Sequence, residues 1–267
     1  MSQPLIIGSG PAGSLAAILL ARSGVEPILI DRDAEIGNAL CGGFMSWRTA
    51  ARLRAIGLDL TDLGAQRVDR LALFASEHSA VAQLPEAGFG LSRYALDSAM
   101  REKAVEAGAR LVIDRIRSVE NGIATGQNGE WRSDAIFLAS GKHDIRGLSR
   151  PRIADDPAMG IRIAVPGNAA LTELIGNRIE LHFFRGGYAG IVLQEERGGA
   201  RVANICLAMR KSRLVDAGGT PRALLDELAR DHPAFGARMQ HAVPDLPVDS
   251  IGAVPYGWIA RDTAPGL

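Results

Sequence analysis

Cysteine is scarce. Two residues, Cys41 and Cys206, far apart along 267 positions, exclude a disulfide framework and make a reducing compartment, hence the cytoplasm, the default expectation. Net charge is absent as well: 30 Lys and Arg balance 30 Asp and Glu, so no overall field draws the chain to nucleic acid or to an anionic membrane. Aromatics make up only 5%. None interleaves with the basic run Arg210-Lys211-Ser212-Arg213, which reads as a solvated loop rather than a nucleic-acid surface. No basic segment precedes the first apolar run, as a signal peptide requires. The longest apolar stretch, residues 12–21, is broken by Ser14 and falls short of the ~20 residues of a bilayer span; peripheral contact with a membrane surface stays open. His and Cys cluster nowhere at metal-ligand spacing, so no metal is expected, and no G-x-S-x-G nucleophile elbow occurs.

What is present is a chain long enough for one large domain or two interleaved ones, opening on a patterned stretch. Leu5–Ile7 is a short apolar strand ended by Gly8; Pro11 stands where a helix's first turn tolerates proline; residues 12–22 are strong helix formers closed by Gly24. Residues 27–30 form a second apolar run ending in Asp31, and so brief a β-α-β unit forces a parallel sheet. Ser46 and Ser92 are placed to cap helices over residues 46–56 and 92–107. A meander is expected over residues 111–140, turning at Asn121-Gly122 and Asn128-Gly129. Further strands are expected over 67–75, 80–84, 178–184, 188–195, 201–209 and 250–254, and a helix over 221–230.

Gly8-Ser9-Gly10-Pro11-Ala12-Gly13 matches G-x-G-x-x-G in the strand–turn–helix context that gives the pattern its meaning. Gly8 permits the tight turn, Gly10 lets a pyrophosphate reach the backbone, and Gly13 lets helix and strand pack closely. The helix N-terminus offers oriented N–H groups to phosphate. Asp31 follows Gly13 by 18 residues, near the ~20 expected for an acid on ribose hydroxyls. The stretch is read as a dinucleotide grip.

Three further segments are similar to the flavoprotein superfamily of p-hydroxybenzoate hydroxylase-type aromatic hydroxylases, ubiquinone-biosynthesis hydroxylases, flavin halogenases and geranylgeranyl reductases. Leu91-Ser92-Arg93-Tyr94-Ala95-Leu96-Asp97 resembles its L-x-R-x-x-L-D at a helix start, Ala139-Ser140-Gly141 its second FAD-contacting strand end, and Asn38-Ala39-Leu40-Cys41-Gly42-Gly43 the C-G loop of the geranylgeranyl reductase branch. The resemblance implies FAD contacts at Gly8, Ser9, Gly10, Pro11, Ala12 and Gly13, at Asp31 and Arg32, at Cys41 and Gly42 near the isoalloxazine, at Arg93 beside pyrophosphate and ribitol, at the Ile116 backbone beside adenine, and at Ser140 and Gly141. It makes Cys41 and Tyr188 candidates for the flavin and substrate pocket, with no catalytic residue named. Tyr188 begins a segment that weakly echoes Y-x-W-x-F-P, with Gly190, Val192 and Leu193 in place of tryptophan, phenylalanine and proline.

Two departures stand out. Residues 141–147 replace the hydroxylases' D-G pair, which touches both FAD and nicotinamide. The family's G-D segment, expected beyond residues 261–267, is missing from the sequence. His143 with Asp144 is readable as a proton relay or as a turn contact, and His182 as sheet surface or pocket lining rather than a metal ligand.

The expected fold is α/β: a discontinuous Rossmann-type FAD-binding domain with a β-meander (residues 1–72 and 93–157), interleaved with a mostly antiparallel β-sheet substrate domain (73–92 and 158–260), residues 261–267 opening a missing C-terminal part. The resemblance implies an FAD-dependent oxidoreductase, first a monooxygenase acting on an apolar or aromatic small molecule with NADH or NADPH as electron source. The alternatives are a prenyl double-bond reductase and a truncated, non-catalytic nucleotide-binding fragment.

Overall fold

The computed structural model describes residues 3–151 and 154–254. The chain begins with β1 (Leu5–Ile7), α1 (Pro11–Arg22) and β2 (Ile28–Asp31), followed by β3 (Phe44–Met45), α2 (Trp47–Ala55), β4 (Gln66–Ala75), β5 (His78–Gly90) and α3 (Arg93–Glu106). Next come β6 (Arg110–Ile113), β7 (Ser118–Glu120), β8 (Ile123–Thr125), β9 (Glu130–Arg132) and β10 (Ile136–Leu138). The remainder is β11 (Ala158–Pro166), α4 (Ala169–Ile175), β12 (Arg178–Phe184), β13 (Gly187–Glu195), β14 (Arg201–Arg210), α5 (Lys211–Asp216), α6 (Pro221–Asp231), α7 (Pro233–Met239) and β15 (Asp249–Val254). The elements fall into two units. The first holds described residues 3–37 and 96–151, the second 38–95 and 154–254.

The first unit is built on a parallel sheet in the order β10-β1-β2-β6. Its central strands read Leu-Ile-Ile and Ile-Leu-Ile and are buried on both faces, as parallel strands sandwiched by other layers must be. The expected meander forms over a shorter span, as the sheet β7-β8-β9, because the outer parts of the stretch expected over 111–140 become β6 and β10 of the parallel sheet instead. Asn121 and Gly122 both take positive φ (50° and 74°), the two-residue turn that joins Glu120 to Ile123 in register. The second Asn-Gly turn differs from expectation. Residues 126–129 form a longer loop in which the Asp114 carboxylate accepts the N–H groups of Gln127 and Asn128 and the Trp131 indole N–H. A side chain from the preceding connection, rather than the local dipeptide, sets that turn.

The second unit is an eight-stranded sheet, β15-β11-β14-β13-β12-β4-β5-β3, antiparallel except where β12 runs parallel to β4. The sheet's two faces separate by register. Met159, Ile161, Ile163 and Val165 on β11 share a core with Ala189, Ile191 and Leu193 on β13 and with α6 and α7 through Leu224, Leu228 and Phe235. Burying so many large aliphatic side chains, at about 1.5–3 kcal/mol each, dominates this unit's stability. β11 lies outside the strands expected from the sequence, although its apolar residues alternate with period two. Residues 210–213 are likewise not a loop: Arg210 ends β14 and Lys211 starts α5, where the Asp156 carboxylate receives the Ser212 N–H and hydroxyl at 2.9 and 2.7 Å. No described helix is long and apolar enough to cross a membrane.

Candidate functional site

In the first unit, the β1–α1 turn is shaped by what cannot fit there. Gly8 has φ +104°, a region L side chains rarely enter, and a Cβ there would collide with the Ala139 carbonyl oxygen at the end of β10. A Cβ on Gly13 would collide with the Gly8 carbonyl and stand 3.2 Å from the Ala139 methyl. The two outer glycines of the motif therefore weld strand, turn and helix together, while Gly10 is the extended N-cap of α1. It brings no side-chain cap, and Pro11 follows it. The first-turn N–H groups and the positive end of a 12-residue helix are directed outward, the geometry that binds a phosphate. Ser140 lies beside this turn, its backbone nitrogen 3.3 Å from where a Cβ on Gly8 would stand, and Gly141 follows it with φ +64°. Pro11 and Ala12 form the helix's first turn. These residues fit the dinucleotide the sequence implies.

Asp31 ends β2 next to that turn. One carboxylate oxygen accepts the Ser9 N–H and hydroxyl, both at 2.7 Å, and the other accepts the Asp33 N–H at 3.0 Å. Arg101 of α3, absent from the residues expected by sequence, completes the arrangement. Its Nε donates to the Ser9 hydroxyl at 2.8 Å, one terminal nitrogen donates to the Ala34 carbonyl at 2.9 Å, and the other lies 3.5 Å from Asp31. Burial raises the Asp31 pKa, but the Asp33 and Ser9 hydrogen bonds and the Arg101 charge outweigh it, and the net shift is downward. Asp31 is thus a fixed anion that retains acceptor capacity. Arg101 could have been noticed because it follows Asp97 by four residues on the otherwise apolar face of Leu96, Met100 and Ala104.

Other expected positions in this unit have plainer surroundings. Arg32 pairs with Asp33 at 2.8 Å on the surface. Ile116 lies between β6 and β7 and packs against the core of Leu5, Ile28 and Val119. At His143 the backbone takes part in a turn, its carbonyl accepting Ser140 Oγ at 2.7 Å, and Asp144 is engaged by Arg150 at 2.8 Å.

In the second unit, Ser92 caps α3, accepting the Ala95 N–H at 3.2 Å, and Arg93 is the helix's first residue. Ser46 caps α2 in the same way. The register rows place Leu181, Gly190, Cys206 and Arg162 side by side, with Phe183 and Tyr188 in the neighbouring row. All lie on the sheet face opposite the helix-covered core. Tyr188 is 41% exposed, its ring 6.3 Å from that of Phe183. The Cys41 carbonyl accepts Asn204 Nδ2 at 3.0 Å, so the Cys41–Gly42 loop is attached to this same face.

His182 corrects its expectation. It sits on the helix-covered face, 4% exposed, stacked on Phe74 at 4.4 Å with Phe235 edge-on. Its Nε2 lies 3.1 Å from Glu180, which Arg238 holds through two hydrogen bonds of 2.8 and 2.7 Å. No group of His, Cys, Asp and Glu among the described residues could hold a metal ion.

The fold and the β1–α1 turn define a dinucleotide-binding architecture, and comparison with known proteins specifies it. A family described as FAD binding domain matches residues 1–127. A Methanosarcina barkeri protein known only as an uncharacterized protein in the nifH2 5′ region is 30% identical over 160 residues, covering 55% of this chain and 86% of its own. Digeranylgeranylglycerophospholipid reductase 2 of Methanopyrus kandleri is 27% identical over 291 aligned positions, covering 98% of this chain and 68% of the reductase. The structure of a flavin-dependent brominase superposes with TM-score 0.72 over 94% of this chain and 66% of its own, at 19% identity. The chain is a relative of FAD-dependent oxidoreductases that include the digeranylgeranylglycerophospholipid reductases, with an FAD binding domain over residues 1–127. It spans about two thirds of the length of the reductase and of the brominase.

Proposed function

We propose that this chain holds FAD by its ADP half and acts as an oxidoreductase on an apolar substrate, with NADH or NADPH as the electron source. The observation that carries the proposal is the Gly8–Gly13 turn, closed against Ala139 and leaving the α1 N-terminus free to receive a pyrophosphate. Asp31, held anionic, is assigned to the adenosine ribose hydroxyls, with Arg32 alongside. Ser140 and Gly141 border the phosphates, the Ile116 backbone the adenine, and Arg93 the pyrophosphate and ribitol. Cys41 and Gly42 face the flavin, and Tyr188 the substrate. Bound FAD would supply the redox chemistry; the protein's part is to orient the reactants and keep water out.

The M. kandleri relative, matching nearly the whole chain, is named a reductase of a digeranylgeranyl lipid. That similarity supports reduction of a carbon–carbon double bond in an isoprenoid-type substrate as one reading. Hydroxylation is the other, favoured by Gly190, Val192 and Leu193 standing where the reductase motif has bulkier residues and proline.

Gly10→Val separates the cofactor assignment from mere folding, because Gly10 has an extended backbone that valine adopts (φ −66°, ψ −177°). The variant should keep its melting temperature and lose FAD on gel filtration; undiminished flavin content would refute the phosphate grip. Oxygen dependence then divides the two readings. Double-bond reduction persists anaerobically with a chemically reduced flavin, whereas hydroxylation stops.

A further inference from the structure

The Cys41–Gly42 loop is held in place by a circuit of buried polar side chains on the sheet of the second unit. Asn204, 0% exposed, donates from Nδ2 to the Cys41 carbonyl at 3.0 Å and accepts Arg162 Nε at 2.7 Å on its Oδ1. Arg162, 6% exposed, extends a second nitrogen to Glu196 at 2.5 Å. The other oxygen of Glu196 receives the Asn38 amide at 2.5 Å, at the start of the same loop. Asn38–Glu196–Arg162–Asn204–Cys41 is therefore a closed clamp, with two tethers to the loop and one cation joining their anchors. Gln194 braces it, donating to Glu196 at 3.0 Å. The Gln194 Oε1 is buried with no hydrogen-bond partner and stands where a Cβ on Gly43 would go.

Such an arrangement is a poor way to stabilise a sheet. A buried ion pair seldom outdoes apolar side chains of similar volume, and neighbouring positions on this face are Leu181, Gly190 and Cys206. What it provides is a fixed geometry for residues 38–43. We infer that Arg162, Asn204 and Glu196 are positioning residues that set where the Cys41–Gly42 backbone stands. The consequence for the flavin rests on the reading of that segment as flavin-facing; the clamp itself does not.

The experiment uses two variants and two readouts. Asn204→Asp keeps the acceptor for Arg162 but turns a carboxylate oxygen toward the Cys41 carbonyl, breaking one tether without a change of shape. Asn38→Ala cuts the other tether at a half-buried position, and folding should tolerate it. In the chain without flavin, the rate of Cys41 alkylation is measured by mass spectrometry, with Cys206 on the sheet as internal reference. The Cys41 rate should rise about tenfold relative to Cys206 in Asn204→Asp, and measurably in Asn38→Ala. In the FAD-loaded chain, the visible absorption bands of the flavin should shift in both variants. A Cys41 rate unchanged in both variants overturns the clamp. A faster Cys41 rate with an unaltered flavin spectrum upholds the clamp and overturns the flavin-facing assignment.

Discussion

Arg101 ties α3 to two segments distant from it in sequence: it holds the Ser9 hydroxyl of the glycine turn, and the Asp31 carboxylate and Ala34 carbonyl at the end of β2. Replacing it by methionine fills the same volume and leaves Ser9 and Asp31 to face each other without the cation. Arg101→Met should cost about 2–3 kcal/mol of stability, the range for losing hydrogen bonds to a charged group, together with a loss of FAD affinity. Urea unfolding and a flavin titration check this, and a variant as stable as the parent would show that the arginine is incidental. At this scale the sequence shows only what is local. The glycine spacing and Asp31 could be read because the motif fits within one β-α-β unit. Arg101 left only a trace, a basic residue on an apolar helix face, and Arg162, Asn204 and Glu196 left none, because their partners lie tens of residues away and depend on how the chain folds back.

On the element scale, β12 and α7 are joined by a buried group whose charge depends on pH. Burial holds the His182 pKa below its ordinary value despite the neighbouring Glu180 carboxylate. Since a carboxylate only accepts, the neutral ring directs its Nε2–H toward Glu180, leaving a buried Nδ1 with no hydrogen-bond partner. Burial raises the Glu180 carboxyl, but hydrogen bonds from His182 and Arg238 outweigh it and the net shift is downward. Both shifts act in one direction. As pH falls through about 6.5 the unfolded chain takes a proton on His182 that the folded chain refuses. Stability then drops by at most about 1.4 kcal/mol per pH unit, and Glu180 adds a second loss lower, in the carboxylate range. His182→Phe keeps the stack on Phe74 and should flatten the first leg, seen as a smaller fall in melting temperature between about pH 7.5 and 5.5. An unchanged slope would place the acid sensitivity elsewhere. Among the elements, β1-α1-β2, the caps at Ser46 and Ser92 and the turn at Asn121-Gly122 were legible because each is fixed by neighbouring residues. β11 carries a readable alternation, whereas the fate of residues 126–129 and 210–213 is decided by Asp114 and Asp156, which no local pattern announces.

For the whole molecule, each unit is assembled from separate stretches of chain, and the similarity to an FAD binding domain covers the part that contains the glycine turn, Asp31, Arg93 and Arg101. The segment at residues 261–267, where the sequence raises the question of a further cofactor-binding part, lies outside the described residues. The fold class was legible from the sequence, because alternating strand and helix patterns force a parallel sheet and the later strands an antiparallel one. The substrate was not, since the residues on the sheet face around Tyr188 and Cys206 are set by pairing across four strands, β11 to β14. The proposed grip of this chain on the ADP half of FAD is open to a competition titration. FAD added to the purified chain should stay with it through gel filtration, and ADP should displace it while FMN does not. Failure to retain FAD, or displacement by FMN with ADP without effect, would contradict the account.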